Sequence, residues 1–196
     1  MGESAAHPEL PKNLVLIGGR GCGKSSIAKR LARSNRRFML FSLDALVRYE
    51  SGAATIAQIV ANEGWEGFRR REWEVVRKVA AFEGEALIDT GGGVVAELDA
   101  AGNERYSEKK VDALRRHGRV VYLSRAIDVL EAKVATDPNR PTLSTTDSFR
   151  AVMERREPWY RQAAHHVIDC GDRTKNDIAD EVLAWFYAEI GAEAHP

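Results

Sequence analysis

Leu14-Val15-Leu16-Ile17-Gly18-Gly19-Arg20-Gly21-Cys22-Gly23-Lys24-Ser25-Ser26-Ile27 is the stretch that decides the fold. Four apolar residues run into a glycine, and Gly18-x-x-x-x-Gly23-Lys24-Ser25 then opens a segment with helical apolar spacing. Strand, glycine loop and helix together are the context that the Walker A pattern requires. The glycines let backbone N–H groups point inward at phosphates, and the helix N-terminus adds a favourable dipole. Lys24 can neutralise β and γ oxygens, and the Ser25 hydroxyl can ligate Mg²⁺. A nucleoside triphosphate site is therefore expected, contacted by Gly21, Cys22, Gly23, Lys24, Ser25 and Ser26, with phosphoryl transfer as its chemistry.

Outward from that loop, short apolar runs alternate with longer amphipathic ones, the pattern of a parallel sheet with covering helices. After Leu14–Ile17, strands are expected at 37–41, 86–88, 120–123 and 167–168, five in all. Helices are expected at 25–32, 43–50, 55–62, 66–82, 107–117, 127–135, 149–162 and 178–190. The fold class is α/β, with ligands at the C-terminal ends of the strands. No repeat or linker splits the chain, so residues 13–196 are expected to form one domain behind a disordered tail to Lys12.

Bulk properties remove several function classes. The 196 residues carry 29 Lys plus Arg against 29 Asp plus Glu, so no global field points to nucleic acid or an anionic membrane. With 44% apolar and 30% charged residues the chain can bury a core and keep a charged surface. Two cysteines, Cys22 and Cys170, are too few for a disulfide framework, which favours a reducing compartment and the cytoplasm. No stretch approaches the roughly 18 apolar residues of a membrane span. The first six residues fit neither a myristoylation signal nor a secretory leader. A monomer acting on a small molecule is the expectation.

Two further matches raise a GTPase. Asp89-Thr90-Gly91-Gly92 fits DxxG, and Thr174-Lys175-Asn176-Asp177 fits the guanine-reading [NT]KxD. A guanine reader sits directly after a strand, however, whereas Thr174 follows the polar break Gly171-Asp172-Arg173. Thr174 is better placed to cap the last helix, with Asp177 completing a capping box.

The Walker A loop, Asp44, Phe68-Arg69-x-x-Glu72, Gly91-Gly92-Gly93, Arg140-Pro141 and Arg156-x-Pro158-x-Tyr160 occur in the order and approximate spacing of shikimate kinases. This resemblance runs from about Leu14 to Asp169. It implies a three-layer P-loop kinase fold, a five-stranded parallel sheet flanked by helices, with a mobile lid at about 137–147. It also implies ATP and Mg²⁺ as cofactors and catalysis by Lys24, Asp44 and Arg140. Arg69 and Arg156 resemble the family's carboxylate clamp, with a bidentate geometry that Lys lacks. Asp44 resembles the carboxylate that orients or deprotonates the attacking hydroxyl. Gly92 and Gly93 resemble the backbone floor under the ring, Arg140 the lid arginine over the transferring phosphate, and Lys133 the cation against adenine. Glu72 is expected to hold the rotamer of Arg69. As bare residues, Asp44 also suits a helix cap, Arg69 and Arg156 exposed helix faces, the glycines a tight turn, and Arg140 a solvated loop.

Two departures stand out. The family usually carries Asp-x-Asp after the second strand, and here the stretch is Ser42-Leu43-Asp44, without the first carboxylate. Asp89, after the third strand, is expected to take over its outer Mg²⁺ role beside Ser25. The segment 97–109 is longer than the family's link; Asp99, Asn103, Glu104 and Arg105 are expected to face solvent, and Tyr106 to touch a ligand or pack. The resemblance implies phosphorylation of the 3-hydroxyl of shikimate. The alternatives are a kinase for another small carboxylated polyol such as gluconate, or a catalytically altered nucleotide-binding relative.

Overall fold

Strand β1 (Asn13–Ile17) is buried along its whole length. Leu14 and Leu16 enter one hydrophobic cluster while Val15 and Ile17 enter another. This two-residue alternation, apolar on both sides, is what a central parallel strand covered on both faces requires. The computed structural model describes residues 13–135 and 147–191. The expected tail to Lys12, and the expected lid apart from Asp147, lie outside the described residues.

Helix α1 (Lys24–Ser34) follows the loop and buries Ile27, Ala28 and Leu31 against the first cluster. Strand β2 (Met39–Ser42) leads without a break into α2 (Leu43–Ser51). Helix α3 (Ile56–Ala80) opens with a Thr55–Gln58 capping box and is interrupted at Gly64, whose φ of 68° and ψ of 178° are not helical. The two expected helices are thus two arms of one broken helix. Strand β3 (Ala86–Asp89) follows, then β4 (Ala96–Leu98), β5 (Glu104–Tyr106), α4 (Glu108–Arg116), β6 (Gly118–Ser124), α5 (Ile127–Ala135), α6 (Phe149–Ala163), β7 (His166–Asp169) and α7 (Lys175–Glu189).

Among the described residues, five strands form one parallel sheet in the order β2-β3-β1-β6-β7. Helices α1 and α7 pack on one face, and α2, α3 and α4 on the other. The expected three-layer α/β fold is present. Helix α7 begins at Lys175, earlier than expected, because the Thr174 hydroxyl accepts from the Asp177 amide at 3.2 Å and Asp177 completes the box. That cap answers the guanine-reader match: these residues close a helix end on the surface.

One element was not expected. Strands β4 and β5 pair antiparallel, Ala96 with Tyr106 and Leu98 with Glu104, as a small hairpin outside the main sheet. It falls almost wholly in the segment 97–109 and brings Glu104 against two arginines of the cavity described next.

Candidate active site

The phosphate loop owes its shape to glycine. Gly18, Gly21 and Gly23 hold φ of 147°, 88° and 105°, where L side chains are strained. Gly23 is the residue before α1, so the free amides of that helix end open into the loop. Lys24 is 7% exposed, and its Nζ donates to Gly18 O at 2.7 Å and to Gly19 O at 3.4 Å. The ammonium is thereby pinned across the loop where phosphate oxygens would meet it. Ser25 and Ser26 are exposed to the same space. Cys22 is buried and its Sγ lies 3.7 Å from Lys24 Nζ, so only its backbone is available to a nucleotide. Lys133 is exposed on α5 beside the loop: a Cβ on Gly21 would lie 3.5 Å from the Lys133 Cβ.

Ser42 and Asp89 are neighbours across the sheet, paired in register at the ends of β2 and β3. Adjacent strands lie about 4.8 Å apart, so a carboxylate at Asp89 stands at the same sheet edge as one at position 42 would. Asp89 is 5% exposed and hydrogen-bonds to Ser25, while its Oδ1 is buried with no partner. Burial pushes its carboxyl above the usual carboxylate range, against the pull of Ser25 and Lys24. A buried, unpartnered carboxylate oxygen beside the loop serine has the donor chemistry for a hard cation.

Asp44 sits in the first turn of α2, behind Ser42 at the N-cap, so it does not cap that helix. Its carboxylate opens onto the cavity, in a recess close enough that a Cβ on Gly91 would lie 2.6 Å from Oδ1. Desolvation there, then the negative charges of Glu72 and Asp89, push its carboxyl above the usual range, while Lys24 and Arg20 pull it down. A carboxylate raised in this way is a better proton acceptor near neutral pH than an ordinary aspartate.

Arg69 on α3 and Arg156 on α6 are buried, 7% and 1% exposed. Arg69 Nη1 donates to Glu72 Oε2 at 2.9 Å and to Gly93 O at 3.0 Å, which bears out the expected Glu72 contact. Its guanidinium lies 5.6 Å from the Trp65 ring centre and 5.4 Å from that of Phe68. Arg156 Nη1 donates to Gly92 O at 3.3 Å, and the Tyr160 hydroxyl donates to the same carbonyl. Gly93 is needed for this packing, since a Cβ there would sit 2.4 Å from Arg69 Nη2. Surface positions for the two arginines are excluded.

A single cavity of about 600 Å³ joins these parts. Gly21, Gly23, Lys24, Ser25 and Ser26 line one end, and Asp44, Arg69, Gly92, Gly93 and Arg156 the other. Arg140 lies outside the described residues.

Two charged groups were not found from sequence. Glu104, expected in solvent, is 11% exposed and accepts from Arg156 Nε at 3.0 Å, Arg69 Nη2 at 3.3 Å and Arg155 Nη2 at 3.4 Å. The correction has a simple cause: Glu104 and Tyr106 share one face of β5, and Tyr106 packs on the core while Arg105 points out. Burial would raise its carboxyl, but Arg156, Arg69 and Arg155 outweigh that and hold it below the usual range. Lys110 is 1% exposed on α4, on the same side as Val111 and Leu114, and its Nζ donates to Glu72 Oε2 at 2.7 Å. Burial lowers the Lys110 ammonium, whereas Lys110 and Arg69 hold Glu72 far below the usual carboxylate range despite its own burial. A lysine inside an apolar helical stripe was the available signal for it.

Known proteins similar to this chain point to one family. The family model described as shikimate kinase matches residues 20–187. A shikimate kinase of Leptospira biflexa serovar Patoc is 39% identical over 173 residues, covering 88% of this chain and 94% of the relative. Shikimate kinase 2 of Sodalis glossinidius is 34% identical over 184 residues, covering 91% and 97%. Among solved structures, a shikimate kinase from Acinetobacter baumannii in complex with shikimate matches with a TM-score of 0.77 at 27% identity, over 92% of this chain and 95% of that one. With its motifs in order, its sheet and its cavity accounted for, the chain belongs to the shikimate kinase family.

Proposed function

We propose that this protein transfers the γ-phosphoryl group of ATP to the 3-hydroxyl of shikimate. The observation that carries the reading is the cavity that places a phosphate loop at one end and a carboxylate facing two buried arginines at the other. Shikimate kinases are ATP-using phosphotransferases with a hydroxyl acceptor. In the proposed reaction the loop amides from Gly21 to Ser26 and Lys24 hold the β and γ phosphates, with Lys133 beside the base. Arg69 and Arg156 bind the acceptor carboxylate, and Gly92 and Gly93 let the ring approach the backbone. Asp44 accepts the hydrogen bond of the attacking hydroxyl and takes its proton as the new P–O bond forms and the bond from the γ-phosphorus to the β,γ-bridging oxygen breaks, with ADP as the leaving group. Arg140 stabilises charge on the transferring group.

Ser25 and Asp89 are the residues that would hold Mg²⁺, and the unpartnered Asp89 Oδ1 supports that assignment. The ion would neutralise charge that develops on the bridging phosphate oxygens. Among the described residues no group of three or more His, Cys, Asp or Glu converges. That fits an ion held by few protein oxygens together with phosphates and water. The single domain over 13–196 with a lid at 137–147, action in the cytoplasm and a monomeric state belong to the same proposal. Two free thiols support a reducing compartment, and Met39, Tyr49 and Val129, the exposed large apolar residues among those described, support a monomer.

A coupled assay of ADP release with Mg·ATP against shikimate, quinate, gluconate and water tests the reading. Turnover confined to shikimate is expected. Preference for gluconate, or an equal rate with water, would overturn it.

A further inference from the structure

The acceptor end holds more charge than two arginines and their known partner. Glu104 reaches in from the β4–β5 hairpin and accepts from both Nε and Nη2 of Arg156, which is the side-on fork of that guanidinium, and from Nη2 of Arg69. Arg69 gives both remaining contacts from Nη1, to Glu72 and Gly93 O, and its buried Nε has no partner. Glu104 thus bridges two arginines that come from different helices and would otherwise repel each other.

Glu104 is not among the residues that line the cavity, whereas Arg69 and Arg156 are. It holds the two guanidinium groups without itself lining the cavity. Glu104 offsets one of the two charges that Arg69 and Arg156 bring together, while Glu72 is shared between Arg69 and Lys110.

We infer that Glu104 is a positioning residue of the acceptor site: it locks Arg69 and Arg156 into a fixed pair that receives the acceptor carboxylate. The hairpin that carries it is then part of the acceptor site. The inference rests on the acceptor reading above, and it makes a segment outside the family's usual link responsible for acceptor affinity.

Glu104→Gln keeps the size and removes the charge; Glu104→Asp keeps the charge on a shorter arm. Steady-state kinetics of both are compared with the wild type, on shikimate and on an analogue whose carboxylate is replaced by hydroxymethyl. Glu104→Gln is expected to raise the shikimate KM about tenfold or more, with kcat and the ATP KM within about threefold, because charge-assisted hydrogen bonds lose their alignment. The analogue should lose nothing beyond about threefold, since it never meets the fork. Glu104→Asp should recover part of the loss. A lower shikimate KM in Glu104→Gln would mean that the side chain competes with the acceptor, and equal losses on both acceptors or on ATP would mean general disorder; either overturns the inference. If Glu104→Gln does not fold, the same comparison is read on Glu104→Asp by titration of tryptophan emission, Trp65 lining the cavity. Wild-type turnover with shikimate is read first. Its absence counts against the functional reading alone, and Glu104 is then judged on the carboxylate acceptor that does turn over, against its own carboxylate-free analogue.

Discussion

Replacing Gly93 with alanine is the smallest change that tests the arginine pair. The new Cβ would lie 2.4 Å from Arg69 Nη2, 2.5 Å from Nη1 and 2.8 Å from Cζ, whereas ordinary contact begins at 3.4 Å. The guanidinium must therefore withdraw by about 1 Å, the difference between 3.4 Å and 2.4 Å. Arg69 holds Glu72 at 2.9 Å, Gly93 O at 3.0 Å and Glu104 at 3.3 Å. A shift of that size carries such bonds past the range in which they count. Loss of one well-aligned charge-assisted bond to the acceptor costs about 1.5–3 kcal/mol. That corresponds to a rise in acceptor KM of about 10- to 150-fold. The phosphate loop is not touched, so the ATP KM should stay within about twofold. The assay is the coupled ADP-release measurement at varied shikimate and fixed saturating ATP, with thermal unfolding alongside, since overpacking costs about 1–3 kcal/mol of stability. Gly93→Ala is then repeated in an Arg69→Ala background, where there is no guanidinium to displace. The second substitution should add much less there, only what the new Cβ costs by crowding the ring. An unchanged KM in the single variant, or a full additional loss in the double, refutes the reasoning.

Asp89→Asn should weaken the apparent Mg²⁺ affinity about tenfold, read by titrating Mg²⁺ at fixed ATP; an unchanged affinity removes Asp89 from the metal assignment. His165 accepts from the Val120 amide at Nδ1, and burial, helped by Arg115 and Arg119, pushes its pKa down from 6.5 to about 4. The unfolded state then binds the proton first as pH falls, so stability is complete above pH 6.5 and declines toward pH 4. Discounted for partial exposure, the decline is about 2 kcal/mol; denaturant unfolding of His165→Gln should show that much less slope across the window, and an unaltered slope sinks the assignment. Thr174→Ala should cost about 1 kcal/mol and lower Tm by about 3 °C through loss of the capping box, while a loss of nucleotide affinity instead would revive the guanine-reader match.

The donor half of the site was legible because its parts are contiguous. A strand, a glycine loop, Lys24 and Ser25 follow one another, and local chain geometry fixes their relation. The acceptor half was legible only through spacing that resembles a family, since Asp44, Arg69 and Arg156 meet through tertiary packing of α2, α3 and α6. The hairpin was missed because charged residues around Gly102 read as a solvated loop, and a strand of three residues is too short for its alternation to register. Glu104 is buried by its partners: three arginines from two distant helices neutralise a side chain whose own chemistry points to water. The boundaries of α3 show the same limit from the other side, since the gap between the helices expected at 55–62 and 66–82 is a single non-helical residue, Gly64, beyond which the helix resumes directly.

Ser42 and Asp89 stand side by side at the ends of neighbouring parallel strands. Every strand of such a sheet ends on the same edge, so equivalent sockets lie next to one another in space while their residues are far apart in the chain. A functional group can migrate sideways from one socket to the next with its ligand left in place. A column-by-column comparison of sequences scores that migration as a loss at one position and an unrelated gain at another. In this chain the sheet still presents a carboxylate beside the loop serine, one strand over from where a linear reading looks for it.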